Sequence, residues 1–321
     1  MGFSLIGTGS AYPARRVTND ELSKLVDTSD EWIRTRTGVK ERRVLTSETL
    51  GDIAYEAAKR ALADAGIEPM ELDLIVCATI RNDYITPSLA CVLQKRLGAS
   101  CMSLDINAAC SGFLYALDVA DGYFARKRVK KALVVAAEAM SKMVDWTDRA
   151  TCVLFGDGAG AAVLTEGDDL LSLRVSADGN TESLGIPNIE GKSPFSTREG
   201  RAPYVFMSGQ DVYKFAVGAL CRELEAAIAE AGVKKEDIAY VLPHQANIRI
   251  IEAAINKLGI SADKYLINIE RFGNTSAASI PILLDECRRK NMFHQGDLLA
   301  LSAFGGGFTT GTCVLRWSKQ L

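Results

Sequence analysis

The chain has 321 residues, enough for two units of ordinary domain size or one large fused domain. A hydrophobic content of 48%, a charged content of 24% and a net charge of −3 describe a soluble globular protein without a general nucleic-acid footprint. No run approaches the roughly 18 apolar residues of a membrane span. The amino terminus lacks the basic and apolar regions of a signal peptide, and eight cysteines without C-x-x-C spacing point to a reducing cytoplasm rather than to disulfides or a metal site.

Taken in chain order, Ala61 to Ile67 reads as the end of a helix closed by Gly66, and Leu72 to Val76 as an apolar strand. Met102 to Ile106 is a second strand. It breaks at Asn107-Ala108-Ala109-Cys110-Ser111-Gly112 into a tight turn of small residues, and a helix opens through Phe113, Leu114, Leu117 and Ala120. Cys110 at that helix start faces unpaired backbone N–H groups and the positive end of the helix dipole. Both favour thiolate, and such sites draw a cysteine from about 8.5 to roughly 3.5–7.5. The other seven cysteines lie in apolar patterns and read as small buried hydrophobes.

Ala132 to Ala136 is a strand, and 141–149 a polar loop. Phe155-Gly156-Asp157-Gly158-Ala159-Gly160 resembles a nucleotide loop only superficially. It runs into Ala161 to Leu164 and an acidic turn, where a dinucleotide loop would open a helix, so its glycines are expected in a strand lying close to other backbone. A loop is expected over 179–201. Ile238 to Leu242 is a strand that delivers His244, the candidate base for Cys110. Helix 247–258 places Ile248, Ile251, Ile255 and Leu258 on one face. Asn274 follows in Gly273-Asn274-Thr275-Ser276, before an apolar helix over 276–284. His294 falls in a surface turn before the strand Leu298 to Ser302.

The chain repeats itself. Ala61-Leu62-Ala63-Asp64-Ala65-Gly66-Ile67 recurs 166 residues later as Ala227-Ile228-Ala229-Glu230-Ala231-Gly232-Val233, and the strands that follow match at the same offset. Cys110 and Asn274, 164 residues apart, are read as near-equivalent positions. Such self-similarity means two copies of one unit, here with boundaries 1–168 and 169–321. Each half alternates strand and helix, which predicts a mostly parallel sheet. The helices after Cys110 and Asn274 carry few charges and belong back to back between two sheets, in a five-layer αβαβα sandwich. Ligand sites in α/β units lie beyond the carboxyl ends of strands, so Cys110, His244 and Asn274 are expected in one cleft.

With these residues in place, the whole chain resembles the β-ketoacyl-acyl-carrier-protein synthase III family, the initiating condensing enzymes of the thiolase-like superfamily. The resemblance rests on Gly7-Thr8-Gly9, Thr28-Ser29-Asp30-Glu31-Trp32-Ile33 with Arg36-Thr37-Gly38, Ala108 to Gly112, Phe155 to Gly160, His244-Gln245-Ala246-Asn247, Gly273 to Ser276, and Phe304-Gly305-Gly306-Gly307-Phe308, all in this order. It implies an acyltransferase of fatty acid synthesis with a Cys110, His244, Asn274 triad. An acyl group passes from acyl-CoA to Cys110, and decarboxylating malonyl-acyl carrier protein then attacks the thioester. The resemblance also implies an oxyanion hole from the backbone N–H groups of Cys110 and Gly306. Trp32 and Arg149 would sandwich the CoA adenine, with Arg36 and Asn247 also on CoA. An acyl pocket would be formed by Met140, Phe155, Phe304 and, across a homodimer interface, Thr86. Lys214, Arg249 and Lys257 would dock the acidic carrier protein. Neither a cofactor nor a metal is expected. A condensing enzyme of polyketide, quinolone or hydroxymethylglutaryl synthesis is the near alternative. A non-catalytic partner subunit is the distant one, and retention of all three triad residues argues against it.

Overall fold

The computed structural model describes residues 2–191, 193–197 and 199–319. Its first sheet holds β1 (Gly2–Ala11), β2 (Leu74–Ala78), β3 (Met102–Ile106), β4 (Lys131–Ala139) and β5 (Asp157–Gly167), in the order β1-β5-β4-β2-β3. The second holds β6 (Leu170–Asn180), β7 (Ile238–Pro243), β8 (Leu298–Gly305) and β9 (Gly307–Arg316), in the order β7-β8-β9-β6. Tyr265 makes one parallel bridge to Val241 on the free side of β7. It stands where β3 stands beside β2, so the two sheets share one topology and the C-terminal copy has reduced its fifth strand to a single bridge.

The sheets are mixed rather than mostly parallel. β2 pairs in parallel with β3 and β4, and β7 with β8. β4–β5, β5–β1, β8–β9 and β9–β6 are antiparallel. β8 and β9 are separated by Gly306 alone, far too short for the crossover a parallel return needs.

Alternation along β2 displays the layering. Leu74, Val76 and Ala78 face a central apolar cluster, whereas Ile75 and Cys77 face an outer one. The outer cluster seats α1 (Leu50–Ala65) and α2 (Leu89–Leu97) on the first sheet. The central cluster holds α3 (Gly112–Ala125) and, near the C terminus, a helix over Ser279–Arg289 between the two sheets. A third cluster seats α4 (Gly209–Glu230) and α5 (Ile248–Leu258) on the far face of the second sheet, and the central helix Ser279–Arg289 is α6. These are the five expected layers. Every residue of α6 from Ser279 to Asp285 is buried, as a helix enclosed on all sides requires.

The face of α5 is rotated from the expected one. Ile250, Ile251, Ala254 and Leu258 are buried, while Ile248 and Ile255 are half-buried. Ile248 is drawn toward Gly38, where a side chain would come within 2.8 Å of its Cβ. Among the cysteines, Cys77, Cys152, Cys287 and Cys313 are buried as expected, but Cys91 is exposed and Cys101 and Cys221 are half-buried.

The glycine motifs serve close packing. A Cβ on Gly9 would stand 2.3 Å from Ala57 O and 2.4 Å from Ala61 N, because α1 lies directly on β1. One on Gly160 would meet Ile282 N at 2.7 Å, so Phe155 to Gly160 leads into a strand pressed against α6, as the sequence predicts. Gly9→Ala is expected to destabilise the fold by about 1–3 kcal/mol, since helix backbone must retreat to admit the methyl. Urea unfolding measures it, and an unchanged midpoint would contradict this packing.

Candidate active site

Cys110 stands in the single 3-10 turn Ala109–Ser111 between β3 and α3. His244 follows β7, and Asn274 precedes the equivalent turn Ser276–Ala278 ahead of α6. All three line one cavity of about 1060 Å³, together with Met140, Phe155, Phe304 and Gly306. Trp32, Arg36 and Asn247 line the same cavity. One cleft holds all three as expected, but only Cys110 and His244 follow strand ends; Asn274 follows the short helix Ile269–Phe272.

The half-to-half equivalence differs from the sequence reading. Ala109 (φ 48°) and Ser276 (φ 51°) both hold left-handed backbone, and each donates its amide to an asparagine two residues earlier. Ala109 N reaches Asn107 Oδ1 at 3.1 Å and Ser276 N reaches Asn274 Oδ1 at 2.8 Å. The true offset is 167 residues. Asn274 is the twin of Asn107, and Cys110 is the twin of Ala277. The 164-residue match aligned two functional residues instead of two identical turns.

Asn274 is fixed at every other polar atom. Its N–H donates to Leu154 O at 2.8 Å, its carbonyl accepts from Gly156 N at 3.1 Å, and its side-chain oxygen accepts from Ser276. What remains for the cavity is the Nδ2 donor. His244 donates its amide to Ser302 O at 2.8 Å, and its Nδ1 lies 2.7 Å from Ser279 Oγ. Nε2 is thus the ring nitrogen left for a ligand. Phe304 meets the ring edge-on, with centroids 5.4 Å apart. Burial pulls His244 down to about 3, so the imidazole is neutral at working pH.

The thiol departs from expectation. Desolvation pushes Cys110 up to about 12; the Ser276 hydroxyl draws it down, and the nearby Glu138 carboxyl adds to the rise. Removal from water thus raises the thiol, against the lowering expected from a helix start. Gly305 approaches so closely that a Cβ there would lie 2.7 Å from Cys110 N, which brings the Gly305–Gly307 strand join onto the nucleophile turn.

The guanidiniums of Arg36 and Arg149 lie 4.7 and 5.0 Å from the Trp32 ring centroid. Arg149 also donates to Asp27 O at 2.7 Å. The Trp32–Arg149 pair is already in contact, whereas two successive stacks with an aromatic ring between them need about 7 Å. Arg149 must leave Asp27 before a ring can enter, and it stands outside the cavity lining. Thr86 is exposed and likewise outside the lining. Lys214, Arg249 and Lys257 are exposed, on α4 and α5. His294 is in a surface turn with Asp297, as expected.

Sequence reasoning missed Glu138, Ser276 and Ser279. Glu138 was detectable as the one charge inside the apolar part of β4, and Ser276 stands beside Asn274 in a motif already recognised. Ser279 has no sequence signal beyond its place at the start of α6. No helix of the described residues is long and apolar enough to cross a membrane, and among them no His, Cys, Asp and Glu group could hold a metal.

A cysteine at the head of a buried helix, facing a neutral histidine and an asparagine donor in a five-layer sandwich, defines a condensing acyltransferase of the thiolase-like class. Residues 104–179 match the family described as 3-Oxoacyl-[acyl-carrier-protein (ACP)] synthase III, and 228–317 match its C-terminal part. The chain is 46% identical over 320 residues to a Beta-ketoacyl-[acyl-carrier-protein] synthase III of Clostridium acetobutylicum, covering 98% of each chain. It is 47% identical to one from Alkalilimnicola ehrlichii, again with 98% of each covered. The crystal structure of 3-oxoacyl-[acyl-carrier-protein] synthase III from Aquifex aeolicus superposes with a TM-score of 0.92 at 46% identity, covering 98% of this chain and 100% of that one. The chain belongs to the 3-oxoacyl-[acyl-carrier-protein] synthase III family.

Proposed function

We propose that this enzyme carries out the initiating condensation of fatty acid synthesis, taking an acyl group from acyl-CoA onto Cys110 and condensing it with malonyl-acyl carrier protein. The observation that carries this reading is the meeting of Cys110, His244 Nε2 and Asn274 Nδ2 in one cavity. A sulphur nucleophile is also a good leaving group, so it serves both half-reactions. Loss of carbon dioxide builds negative charge on the malonyl thioester oxygen, and two neutral donors stabilise it without adding a competing charge. Backbone N–H groups of Cys110 and Gly306 serve the acyl-transfer oxyanion. Met140, Phe155 and Phe304 wall the acyl chain, and Trp32, Arg36, Asn247 and a displaced Arg149 hold CoA. Lys214, Arg249 and Lys257 offer the positive face for the carrier protein. Relatives at 46–47% identity carry the synthase III name, so neither the polyketide or quinolone alternative nor a non-catalytic subunit is favoured. Incubation with acetyl-CoA and malonyl-acyl carrier protein tests the reading: 3-ketoacyl-acyl carrier protein and carbon dioxide form in equal amounts, and their absence refutes it.

The same reading includes a homodimer in the cytoplasm. β3 is an edge strand, only partly covered, with Met102 43% exposed. The loop beside it presents Tyr84 at 58% and Ile85 at 101% exposure. An open strand edge flanked by bare apolar side chains suits continuation of the sheet into a second copy. Thr86 then reaches the partner's acyl pocket. Thr86→Phe is expected to lower kcat/KM for isobutyryl-CoA relative to acetyl-CoA by roughly tenfold, since each methylene is worth about 0.8 kcal/mol. Light scattering on the same samples gives the assembly. An active monomer, or unchanged substrate ratios, would contradict the assignment.

A further inference from the structure

Arg42 is a fully buried guanidinium for which the two half-reactions above provide no role. It stands in the short hairpin that pairs Arg16–Thr18 with Glu41–Arg43, outside the cavity lining. Its hydrogen-bond partners are all neutral oxygens. Nη1 donates to Val17 O at 3.2 Å and to Asn19 Oδ1 at 2.9 Å, and Nη2 donates to Val153 O at 2.8 Å. Nε is buried without a partner among the described residues. Burial pulls the group down to about 10, against the pull of Cys152 and Glu41, so it stays charged at working pH. A charge buried without a counter-charge is costly, and apolar side chains often replace buried ionic groups at no loss of stability. A guanidinium in this place therefore points to what its fork holds.

It holds the wall on which Asn274 hangs. Val153, Leu154 and Phe155 line the cavity. Leu154 O accepts from Asn274 N at 2.8 Å, and Gly156 N donates to Asn274 O at 3.1 Å, so both backbone polar atoms of the asparagine are fastened to this segment. Arg42 secures the segment from behind. Its Nη2 takes Val153 O, and its stem packs on the glycines that flank the clamp: a Cβ on Gly156 would stand 3.1 Å from Arg42 Cβ, and one on Gly273 3.5 Å. At the other end of the fork, Asn19 Nδ2 donates to Asp30 Oδ1 at 2.9 Å and to Val39 O at 2.8 Å, which anchors the guanidinium to helix Asp30–Thr37 and the turn after it. None of the hydrogen bonds of Arg42 goes to the Cys110 turn.

We propose that Arg42 is a positioning residue for condensation: by holding Val153 O it sets the 153–156 wall and, through that wall, the aim of Asn274 Nδ2. This rests on the condensing reading above. Cys110 is carried by a separate turn between β3 and α3, so acyl loading does not depend on Arg42. Lysine keeps the charge but ends in one nitrogen instead of a planar fork, so it serves Val153 O or the Val17 and Asn19 oxygens and leaves the other side loose. A donor moved by about 1 Å from its productive place costs up to roughly 10²-fold in rate.

The test measures the half-reactions separately. Acetyl loading of Cys110 is followed by rapid-quench intact mass, and condensation by carbon dioxide release from malonyl-acyl carrier protein on preacetylated enzyme. Arg42→Lys is expected to load within about twofold of wild type and to lose roughly 10- to 100-fold in condensation kcat. Asn19→Ala, which frees one side of the fork, should lose the same half-reaction by less. Added to Asn274→Ala, either substitution should have no further effect on condensation, because the group it aims is gone. A residue that only holds the fold together would slow both half-reactions alike and multiply with Asn274→Ala. Either of those results, or wild-type condensation in Arg42→Lys, overturns the proposal. Near-UV circular dichroism checks folding. If Arg42→Lys does not fold, Asn19→Ala decides by the same criteria, and failure of both to fold makes Arg42 a stability element and overturns the assignment. A wild type that neither loads nor condenses refutes the function itself, a different outcome.

Discussion

Cys110→Ala is expected to leave a folded protein that takes up no acyl group. Wild type incubated with acetyl-CoA gains the mass of one acetyl, and the variant gains none. The substitution removes one sulphur from a turn held by its neighbours. Ser111 N donates to Ala108 O at 3.1 Å, and Thr309 Oγ1 bonds both Ala108 O at 3.0 Å and Ser111 Oγ at 3.2 Å. The twin position already carries an alanine, Ala277, in the same kind of turn. Stability should therefore shift by no more than about 1 kcal/mol, while loading falls to background. Cys91, exposed on α2, is the built-in control. Acylation that persists on it, or on any other cysteine, would remove Cys110 from its role.

The second large effect separates the half-reactions. His244→Ala and Asn274→Ala should still load acyl groups but lose condensation, each by about 10²–10³ in kcat, the usual cost of one preorganised donor in a dry site. The reason is geometric. Every polar atom of Asn274 except Nδ2 is engaged, and His244 is neutral with Nδ1 occupied. Both aim a donor into the cavity, and neither carries charge to repel the departing carboxylate or to bind it. Carbon dioxide release from malonyl-acyl carrier protein measures this directly. Equal loss of loading and decarboxylation in either variant would defeat the division.

Much of this site was legible in the sequence because each element has a local cause. Cys110 and His244 each follow a strand end, and Asn274 follows the short helix Ile269–Phe272 just before a turn that matches the one at Cys110. The glycines of 155–160 read correctly as strand positions close to other backbone because no helix start follows them. What escaped was three-dimensional. The thiol was expected low because a helix start is visible in one dimension, whereas desolvation of the sulphur in the folded molecule is not. Residue-type matching slid the repeat by three positions, because Cys110 and Asn274 attract alignment and Asn107 does not. A single Glu138 in β4 forms no period, so pattern reading passes over it. Trp32 and Arg149 lie side by side, and the sequence holds no signal that they touch each other directly.

The central layer has a bearing on how the enzyme wears out. The turns at Cys110 and just after Asn274 open directly into α3 and α6, and both helices lie between the two sheets. Backbone in such a place exchanges its amide hydrogens only through the rarest, most global openings of a protein, whereas frayed loops and lids exchange at once. The reacting geometry is consequently as durable as the molecule. Heat or denaturant should leave each surviving molecule fully competent, with no dulled population in between. The wear that can be gradual lies where Ile189, which lines the cavity, and Phe195 stand exposed to solvent. Nicking there would blunt substrate entry while the chemistry beneath stays intact.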